Sequence, residues 1–208
     1  MGPTGSGKTT LAREILPRRS YVIGLATKPK DAVLDGLRAD GYAVSRDWPP
    51  HAPTPRMVIW PKSDHEDARA AAAHQSSIFA RTLSSAFRAG GYCVYGDELL
   101  ELTDLGLKHE LNRLWRQGRS VGCSLVAGSQ RPWEVPQSAY SQATHLYLFT
   151  TTDERDLRRL SEISGRVDKR ALRAIVEDLE WHDVLYANTR TGGMEVTRVE
   201  PRGARDAG

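Results

Sequence analysis

The sequence is short of cysteine and of long apolar runs, and each shortage argues against a class of protein. Only two of the 208 residues are cysteine, Cys93 and Cys123, and each lies within an apolar, strand-like stretch. Without a C-x-x-C pair or a Cys/His cluster, a structural zinc site is not expected, and we predict two buried thiols. No apolar run approaches the ~18 residues that a membrane helix needs. The N-terminus lacks a signal-peptide pattern, so a cytoplasmic protein without a membrane segment is predicted.

An excess of charge of one sign is also missing. The 29 Lys and Arg residues against 26 Asp and Glu give a net charge of +3, which neither requires nor excludes a nucleic-acid partner. The hydrophobic fraction of 39% is enough for a core and too high for a disordered chain. The length suits one α/β domain. We predict a single domain over residues 1–200 and a frayed tail at 201–208.

Apolar strand-like runs alternate with helical patterns along the chain. The runs are continuous in apolar residues, which favours a mostly parallel sheet covered by helices on both faces. In the longest helical pattern, Phe79, Leu83 and Phe87 recur on one face. The last two apolar segments, 181–188 and 194–199, predict a C-terminal β-hairpin. Strands are predicted at 21–26, 56–60, 92–95, 120–128 and 145–150, and helices at 9–16, 30–39, 104–117 and 168–179.

The chain opens with MGPTGSGKTT, in which residues 2–9 match the pattern G-x-x-x-x-G-K-[ST] at every fixed position. Glycines let successive backbone N–H groups wrap around a phosphate, and the next helix points its N-terminus at the same anion. Lys8 would reach the β- and γ-phosphates, and the Thr9 hydroxyl would ligate Mg²⁺. The alternative is a Gly-rich turn with a chance lysine. We predict ATP and Mg²⁺ as cofactors, with the nucleotide held by Gly2, Pro3, Thr4, Gly5, Ser6, Gly7, Lys8, Thr9 and Thr10.

A loop of this kind normally follows a buried β-strand, and here only Met1 precedes Gly2. The expected first strand is therefore missing from the chain. A central strand is difficult to omit, because both neighbouring strands would lose their backbone hydrogen-bond partners. We favour a shortened chain, or a start assigned too far downstream. The alternative is a strand donated by a neighbouring subunit or an accessory peptide.

Polar residues follow two of the later strand-like runs. The run YCVY leads to Asp97 and Glu98; Asp97 would hold the magnesium shell, and Glu98 would accept a proton from an attacking water. The run SLVAGSQ ends in Gln130, which would touch the γ-phosphate or the water. The alternatives are two solvated loop acids and a turn residue before Pro132. The second acid favours hydrolysis over phosphoryl transfer to a small molecule.

In order, the segments GPTGSGKTT, YCVYGDE, GRSVGCSLVAGSQRPWEVP and HLYLFTTTDERDLRRL resemble the FtsK/HerA superfamily of P-loop ATPases. The resemblance runs from residue 2 to about 200 and implies a RecA-like core that works as a homo-oligomeric ring, usually a hexamer. Members move or pack double-stranded DNA. By position, Lys8 and Thr9 are the Walker A pair, Asp97 and Glu98 the Walker B pair, and Gln130 the sensor glutamine.

The resemblance also implies an arginine finger that acts on a neighbour's ATP. Arg119 is the first candidate, with Arg116 and Arg131 behind it, and the alternative for each is an ordinary cation at a helix end. The chain departs from the family where an acidic residue often follows the strand ending at Ala26. Here the stretch is TKPK at 27–30, which leaves the role of that stretch open.

Three functions remain at this point. The leading hypothesis is a Mg²⁺-dependent ATPase motor acting on double-stranded DNA in translocation, packaging or transfer, with a phage or mobile element as the suggested source. The second is a nucleotide-gated regulatory or binding module with little turnover. The third is a small-molecule kinase, which fits the phosphate loop and fits poorly with Asp97, Glu98 and Gln130.

Overall fold

The computed structural model describes residues 1–28, 32–51, 54–62, 66–163 and 165–200, so the predicted tail at 201–208 lies outside the described residues. Within these residues the strands are β1 Tyr21–Leu25, β2 Ala43–Ser45, β3 Arg56–Ile59, β4 Tyr92–Gly96, β5 Ser124–Ala127, β6 His145–Leu148, β7 Asp183–Asn188 and β8 Met194–Arg198. The helices are α1 Lys8–Ile15, α2 Ala32–Ala39, α3 Ala68–Ala89, α4 Leu99–Asp104, α5 Lys108–Gln117, α6 Gln137–Gln142, α7 Glu154–Leu160 and α8 Lys169–Asp178.

The chain divides into two compact units. The middle unit is Arg13–Ala127, and the N/C unit combines Met1–Ala12 with the described residues from Gly128 onward. The single domain predicted over 1–200 stays a prediction.

The middle unit is built on a five-stranded parallel sheet with strand order β2-β3-β1-β4-β5. Its central strands are buried almost throughout, because the apolar residues of β1 and β4 run continuously. The predicted apolar face of α3 is confirmed, since Phe79, Leu83 and Phe87 are all buried. Asp67 caps the start of α3 by accepting a hydrogen bond from Arg69 N, and Gly90 follows its end.

The N/C unit contains a three-stranded antiparallel sheet with the order β6-β7-β8. The predicted C-terminal hairpin is β7 with β8. A small apolar cluster of Phe149, Val184 and Val199 lies in this unit, and Leu11 of α1 packs against it. At the edge of β6, the Met1 amino group donates to Tyr147 O, and Phe149 N donates to Met1 O at 2.9 Å.

Two sequence-based boundaries were wrong. The helix predicted over 104–117 begins only at Lys108, as α5, because Leu107 N donates to Leu102 O across a turn in which Gly106 has a φ of 82°. The strand predicted over 120–128 begins only at Ser124, since residues Gly118–Val121 form a 3-10 turn. The short elements β2, α4 and α6 were not predicted.

Both cysteines lie in the middle unit and both are buried as free thiols, as predicted. Burial raises the pKa of the Cys93 thiol. The Cys123 thiol points at Ala86 O, with a sulfur–oxygen distance of 3.4 Å. In the part of the chain that the structure describes, no helix has the length and apolar composition needed to cross a membrane.

Candidate nucleotide-binding site

The phosphate loop lies in the N/C unit, where it leads directly into α1. Ser6 N donates to Pro3 O at 3.3 Å, and Leu11 N donates to Gly7 O at 2.9 Å. Gly5 and Gly7 have φ values of 82° and 106°, a region that residues with a Cβ rarely adopt. The backbone conformation of the loop therefore requires glycine at positions 5 and 7.

A second constraint on the loop is close packing. A Cβ added at Gly2 would lie 2.5 Å from Phe149 Cβ, and one added at Gly7 would lie 3.2 Å from Val199 Cγ1. Phe149 and Val199 belong to the apolar cluster of the N/C unit. The loop is thus seated on that cluster at a distance that only glycine permits.

The Lys8 ammonium folds back over the start of the loop. Its Nζ donates to Gly2 O at 2.6 Å and to Pro3 O at 2.7 Å. Exchanging these carbonyl acceptors for phosphate oxygens would keep the hydrogen bonds and add charge attraction, since charge-assisted bonds are the stronger ones. Lys8 is therefore placed where an anion entering the loop would meet it.

The first turn of α1 favours an anion as well. Thr9 and Thr10 lie in this turn, which contains no acidic residue. The unpaired N–H groups and the dipole of a helix start attract negative charge.

Ser6 tests whether the loop fits a phosphate group. The side chain is 1% exposed, and its Oγ has no hydrogen-bond partner among the described residues. A buried hydroxyl without a partner is unfavourable, and a phosphate oxygen in the loop would supply an acceptor. The residues present therefore fit a bound phosphate chain.

Gln130 lies beside the loop in the same unit. Thr4 Oγ1 donates to Gln130 Oε1 at 3.2 Å, and Gly2 N donates to the neighbouring Ser129 O at 3.0 Å. A cavity of about 490 Å³ opens here. Its lining residues are Pro3, Thr4, Gln130, Arg131, Thr150, Thr151, Thr152, Asp153 and Asp156.

Sequence reasoning missed the carboxylate that holds this region in place. Asp156 is 3% exposed; it accepts Trp133 N at 3.0 Å and Thr151 Oγ1 at 3.2 Å. These bonds fix the segment that follows Gln130 against the start of α7. The sequence around Asp156 indicates only a residue near the start of a helix. Its role follows from the hydrogen bonds with Trp133 and Thr151, which are visible only in the folded structure.

Asp97 and Glu98 lie in the middle unit, where β4 ends. Tyr95 Oη donates to Asp97 Oδ1 at 2.8 Å. Glu98 is 7% exposed and immediately precedes α4. Both acids follow the end of β4, as the sequence predicted, and the carboxyl ends of parallel strands are a common place for ligand sites.

The TKPK stretch, whose role the sequence left open, contributes to the same edge through Lys28. In the parallel register Leu25 pairs with Gly96, so the residues after β1 and after β4 emerge side by side. Lys28 Nζ lies 3.4 Å from Glu101 Oε1, and the Thr27 hydroxyl also donates to Glu101. Trp60 Nε1 donates to Lys28 O at 3.0 Å, which anchors the backbone.

The pKa of Lys28 reflects this acidic surrounding. Partial burial by itself lowers the pKa of Lys28. The negative charges of Glu101, Asp97 and Glu98 outweigh that effect, so the pKa is raised above its ordinary value. This edge of the middle unit therefore contains three carboxylates, and all three stabilise the positive charge of Lys28.

The predicted arginines fall in both units. Arg119 lies in the 3-10 turn after α5, and Arg116 lies in the last turn of α5. Both side chains are exposed, and neither has an ion-pair partner within the described ranges. Arg131 belongs to the N/C unit, where its Nη1 lies 2.9 Å from Asp153 Oδ2. The finger role of these arginines stays a prediction.

The structure thus brings the loop and Gln130 together in the N/C unit and gathers Asp97, Glu98 and Lys28 at one edge in the middle unit. For Mg²⁺, the predicted ligands are Thr9 and Asp97, a hydroxyl and a carboxylate of the kind this hard cation prefers. Among the described residues there is no group of three or more His, Cys, Asp or Glu side chains that would hold a metal ion. Few protein ligands are expected for Mg²⁺ that is also bound by nucleotide phosphates.

Several solved structures share this fold. The genome packaging NTPase B204 from Sulfolobus turreted icosahedral virus 2, in complex with AMP, matches with a TM-score of 0.71 and 13% sequence identity, covering 96% of this chain and 95% of that chain. The cytoplasmic domain of the Thermomonospora curvata type VII secretion ATPase EccC matches with a TM-score of 0.60 and 15% identity, covering 95% of this chain and 24% of that chain.

VirB4 of Thermoanaerobacter pseudethanolicus matches with a TM-score of 0.54 and 16% identity, covering 74% of this chain and 43% of that chain. No protein-family model and no curated protein matches the chain. At these identities the likeness shows the fold. The chain therefore has the RecA-like fold that was predicted, and membership of the FtsK/HerA superfamily stays a prediction.

Proposed function

We propose that this protein is a Mg²⁺-dependent ATPase motor that acts on double-stranded DNA as a ring-shaped homo-oligomer. The observation that carries the proposal is the phosphate loop, with its Gly2 and Gly7 packing, its folded-back Lys8 and Gln130 beside Thr4. The B204 structures support it, because B204 is a DNA-packaging ATPase and has been solved with AMPPCP and ATP-gammaS.

In this mechanism the loop amides, the buried Ser6 hydroxyl and Lys8 hold the phosphate chain. Mg²⁺, bound through Thr9 and Asp97, would supply charge neutralisation at the phosphates. The carboxylate of Glu98 accepts the proton of the attacking water, and Gln130 orients that water or contacts the γ-phosphate. Each of these side chains has the functional group that its step requires.

The positive charge that completes the site comes from a neighbouring subunit. Arg119, exposed on its turn, places a guanidinium against the γ-phosphate held by the next subunit and stabilises the charge of the transition state. Hydrolysis then waits for assembly. Such a finger is worth about 10³-fold or more in kcat.

The main test is steady-state phosphate release with and without double-stranded DNA, using single-stranded DNA as a comparison. We expect turnover that double-stranded DNA stimulates. Glu98→Gln should abolish turnover and retain ATP binding, because the amide cannot accept the proton. Glu66→Gln, an exposed site before α3, is the matched control and should behave like the wild type. ATP binding by the wild type without turnover would favour the regulatory module, and labelled phosphate on a small acceptor would favour the kinase.

The arginine finger has its own test, in which two inactive variants are mixed. Arg119→Ala retains Glu98, and Glu98→Gln retains Arg119. If the finger acts on a neighbour, mixed rings contain interfaces with both groups intact, so activity should reappear on mixing. Arg116→Ala and Arg131→Ala, taken through the same mixing, show whether another arginine fills the role instead.

A further inference from the structure

A tryptophan lies exposed against the phosphate loop without a role in the proposed chemistry. Trp181 is 48% exposed, although tryptophan is usually well buried. Its Cζ2 is 3.5 Å from the position that a Cβ on Gly5 would occupy, so the ring edge lies beside the middle of the loop. An aromatic surface of this size at a phosphate site calls for an explanation.

The turn that presents Trp181 is held firmly. His182, the next residue, has a φ of 74°, a conformation that residues other than glycine seldom adopt. Val199 N donates to His182 O at 2.9 Å, and Arg198 Nη2 donates to Trp181 O at 3.2 Å. Backbone strain of this kind persists where the surrounding structure fixes it, and it is frequent at ligand sites.

The turn and the loop share one support. Val199 makes the backbone bond to His182, and its side chain also lies 3.2 Å from the Cβ position at Gly7. Val199 therefore links the turn that carries Trp181 to the phosphate loop. A ligand bound by the loop would therefore lie close to the Trp181 indole.

We propose that the exposed face of the Trp181 indole is the stacking surface for the base of the nucleotide whose phosphates the loop binds. This inference rests on the proposed nucleotide binding. The base is a flat aromatic ring joined to the phosphates by one ribose, and aromatic side chains stack on such rings in protein–nucleic acid complexes. Because every base has a π-face, such stacking tolerates different bases.

The competing explanation is that Trp181 only covers Gly5 and supports the loop. The two roles separate cleanly when the base is left out of the ligand. A stacking residue strengthens the binding of ATP and leaves inorganic tripolyphosphate unaffected. A supporting residue strengthens the binding of both.

The experiment is calorimetric titration of the full chain with ATP and with tripolyphosphate, each with Mg²⁺. Trp181→Ala should weaken ATP binding about tenfold, as expected for the loss of one base–aromatic stack, and leave tripolyphosphate binding unchanged. Trp181→Phe, which keeps an aromatic face, should recover most of the ATP affinity. Trp133→Ala is the matched control: Trp133 is 44% exposed in the same unit, and its side chain should not affect either ligand.

Tripolyphosphate binding by Trp181→Ala also shows that the variant is folded at the loop. Equal affinity of Trp181→Ala and wild type for ATP would overturn the inference while nucleotide binding stands. An equal loss for both ligands would overturn it in favour of the supporting role. If the wild type binds neither ligand, the proposed function fails and the base site fails with it.

Intrinsic fluorescence gives an independent readout, because a stacked base changes the emission of the indole. ATP should quench the emission of the wild type and of Trp133→Phe. The quenching should be lost in Trp181→Phe and absent with tripolyphosphate. Quenching that survives in Trp181→Phe would place the base elsewhere.

Discussion

The two units hold their candidate functional groups by different means. In the N/C unit, the loop depends on backbone geometry: glycines at close contact with Phe149 and Val199, and carbonyls that hold Lys8. In the middle unit, Asp97 and Lys28 are side chains that project from the ends of parallel strands. We therefore expect substitutions in the loop to disturb packing and nucleotide binding together. Substitutions at the acidic edge should reduce activity and leave the fold intact.

The largest effect is expected at Gly2. In Gly2→Ala the new Cβ would meet Phe149 Cβ at 2.5 Å, so the loop or the apolar cluster must move. We expect a loss of about 3 kcal/mol in the free energy of unfolding, at the upper end for overpacking, together with loss of ATP binding. Thermal and urea unfolding with calorimetric titration would measure both.

Gly41→Ala is the control for that variant. Gly41 has a φ of 85° and nothing within 4 Å of its Cβ position, so only the backbone penalty of about 1–2 kcal/mol applies. If Gly2→Ala proved no more harmful than Gly41→Ala, the close seating of the loop would not be needed for stability.

The second-largest effect is expected at Asp156, which holds the segment after Gln130 in the N/C unit. Asp156→Ala leaves the Trp133 amide without its acceptor and should lower the free energy of unfolding by about 2 kcal/mol. Asp67→Ala in the middle unit removes an exposed cap of α3 and should lower it by about 1 kcal/mol. Similar losses from both variants, by chemical unfolding, would contradict the structural role given to the buried carboxylate.

A third prediction concerns Lys28 in the middle unit. Removing its charge leaves the acidic edge uncompensated, so Lys28→Ala should reduce kcat about tenfold, a barrier change of ~1.4 kcal/mol, with KM for ATP and thermal stability little changed. Lys28→Arg should recover most of the activity. A rise in KM at constant kcat would instead assign Lys28 to ground-state ATP binding.

The smallest effect is a pH dependence at the start of α7. Hydrogen bonds from Arg155 N and from the Arg131 side chain lower the pKa of Asp153. A carboxylate whose pKa is lower in the folded state stabilises the protein above its unfolded pKa of about 3.9, and that contribution disappears as the pH falls through the folded value. The Tm of the wild type should therefore exceed that of Asp153→Asn at pH 7, and the gap should begin to shrink below about pH 3.9 and vanish once the pH is below the folded pKa. A gap that persists at low pH would show that the charge is not the cause.

Local patterns were enough to predict most of the fold. The loop pattern, the continuous apolar strands and the spacing of Phe79, Leu83 and Phe87 depend on neighbours in the sequence, and all three correspond to the structure. The helix predicted over 104–117 started too early, because Leu107 continues the apolar spacing of α5 back into the turn at Gly106. Strand β2 has only three residues, too few for a periodic signal.

The candidate site was predictable where a motif fixes position and not where contacts do. Lys8, Asp97 and Gln130 belong to recognisable segments. Lys28 lies near the carboxylates because of the parallel register of β1 and β4, and Trp181 lies beside the loop because of a turn that returns to it. Pairings between residues this far apart in sequence are set by the folded chain, so no local pattern contains them.

The burial of both cysteines gives the middle unit a chemical reporter of its own. Thiol reagents attack the thiolate, and Cys93 and Cys123 are shielded from solvent, so labelling must wait for the surrounding structure to open. The N/C segments contain no cysteine at all. The rate of thiol modification, followed by mass spectrometry, therefore measures the opening of the middle unit alone, and slower modification with ATP present would reveal how far nucleotide binding at the loop steadies the parallel sheet.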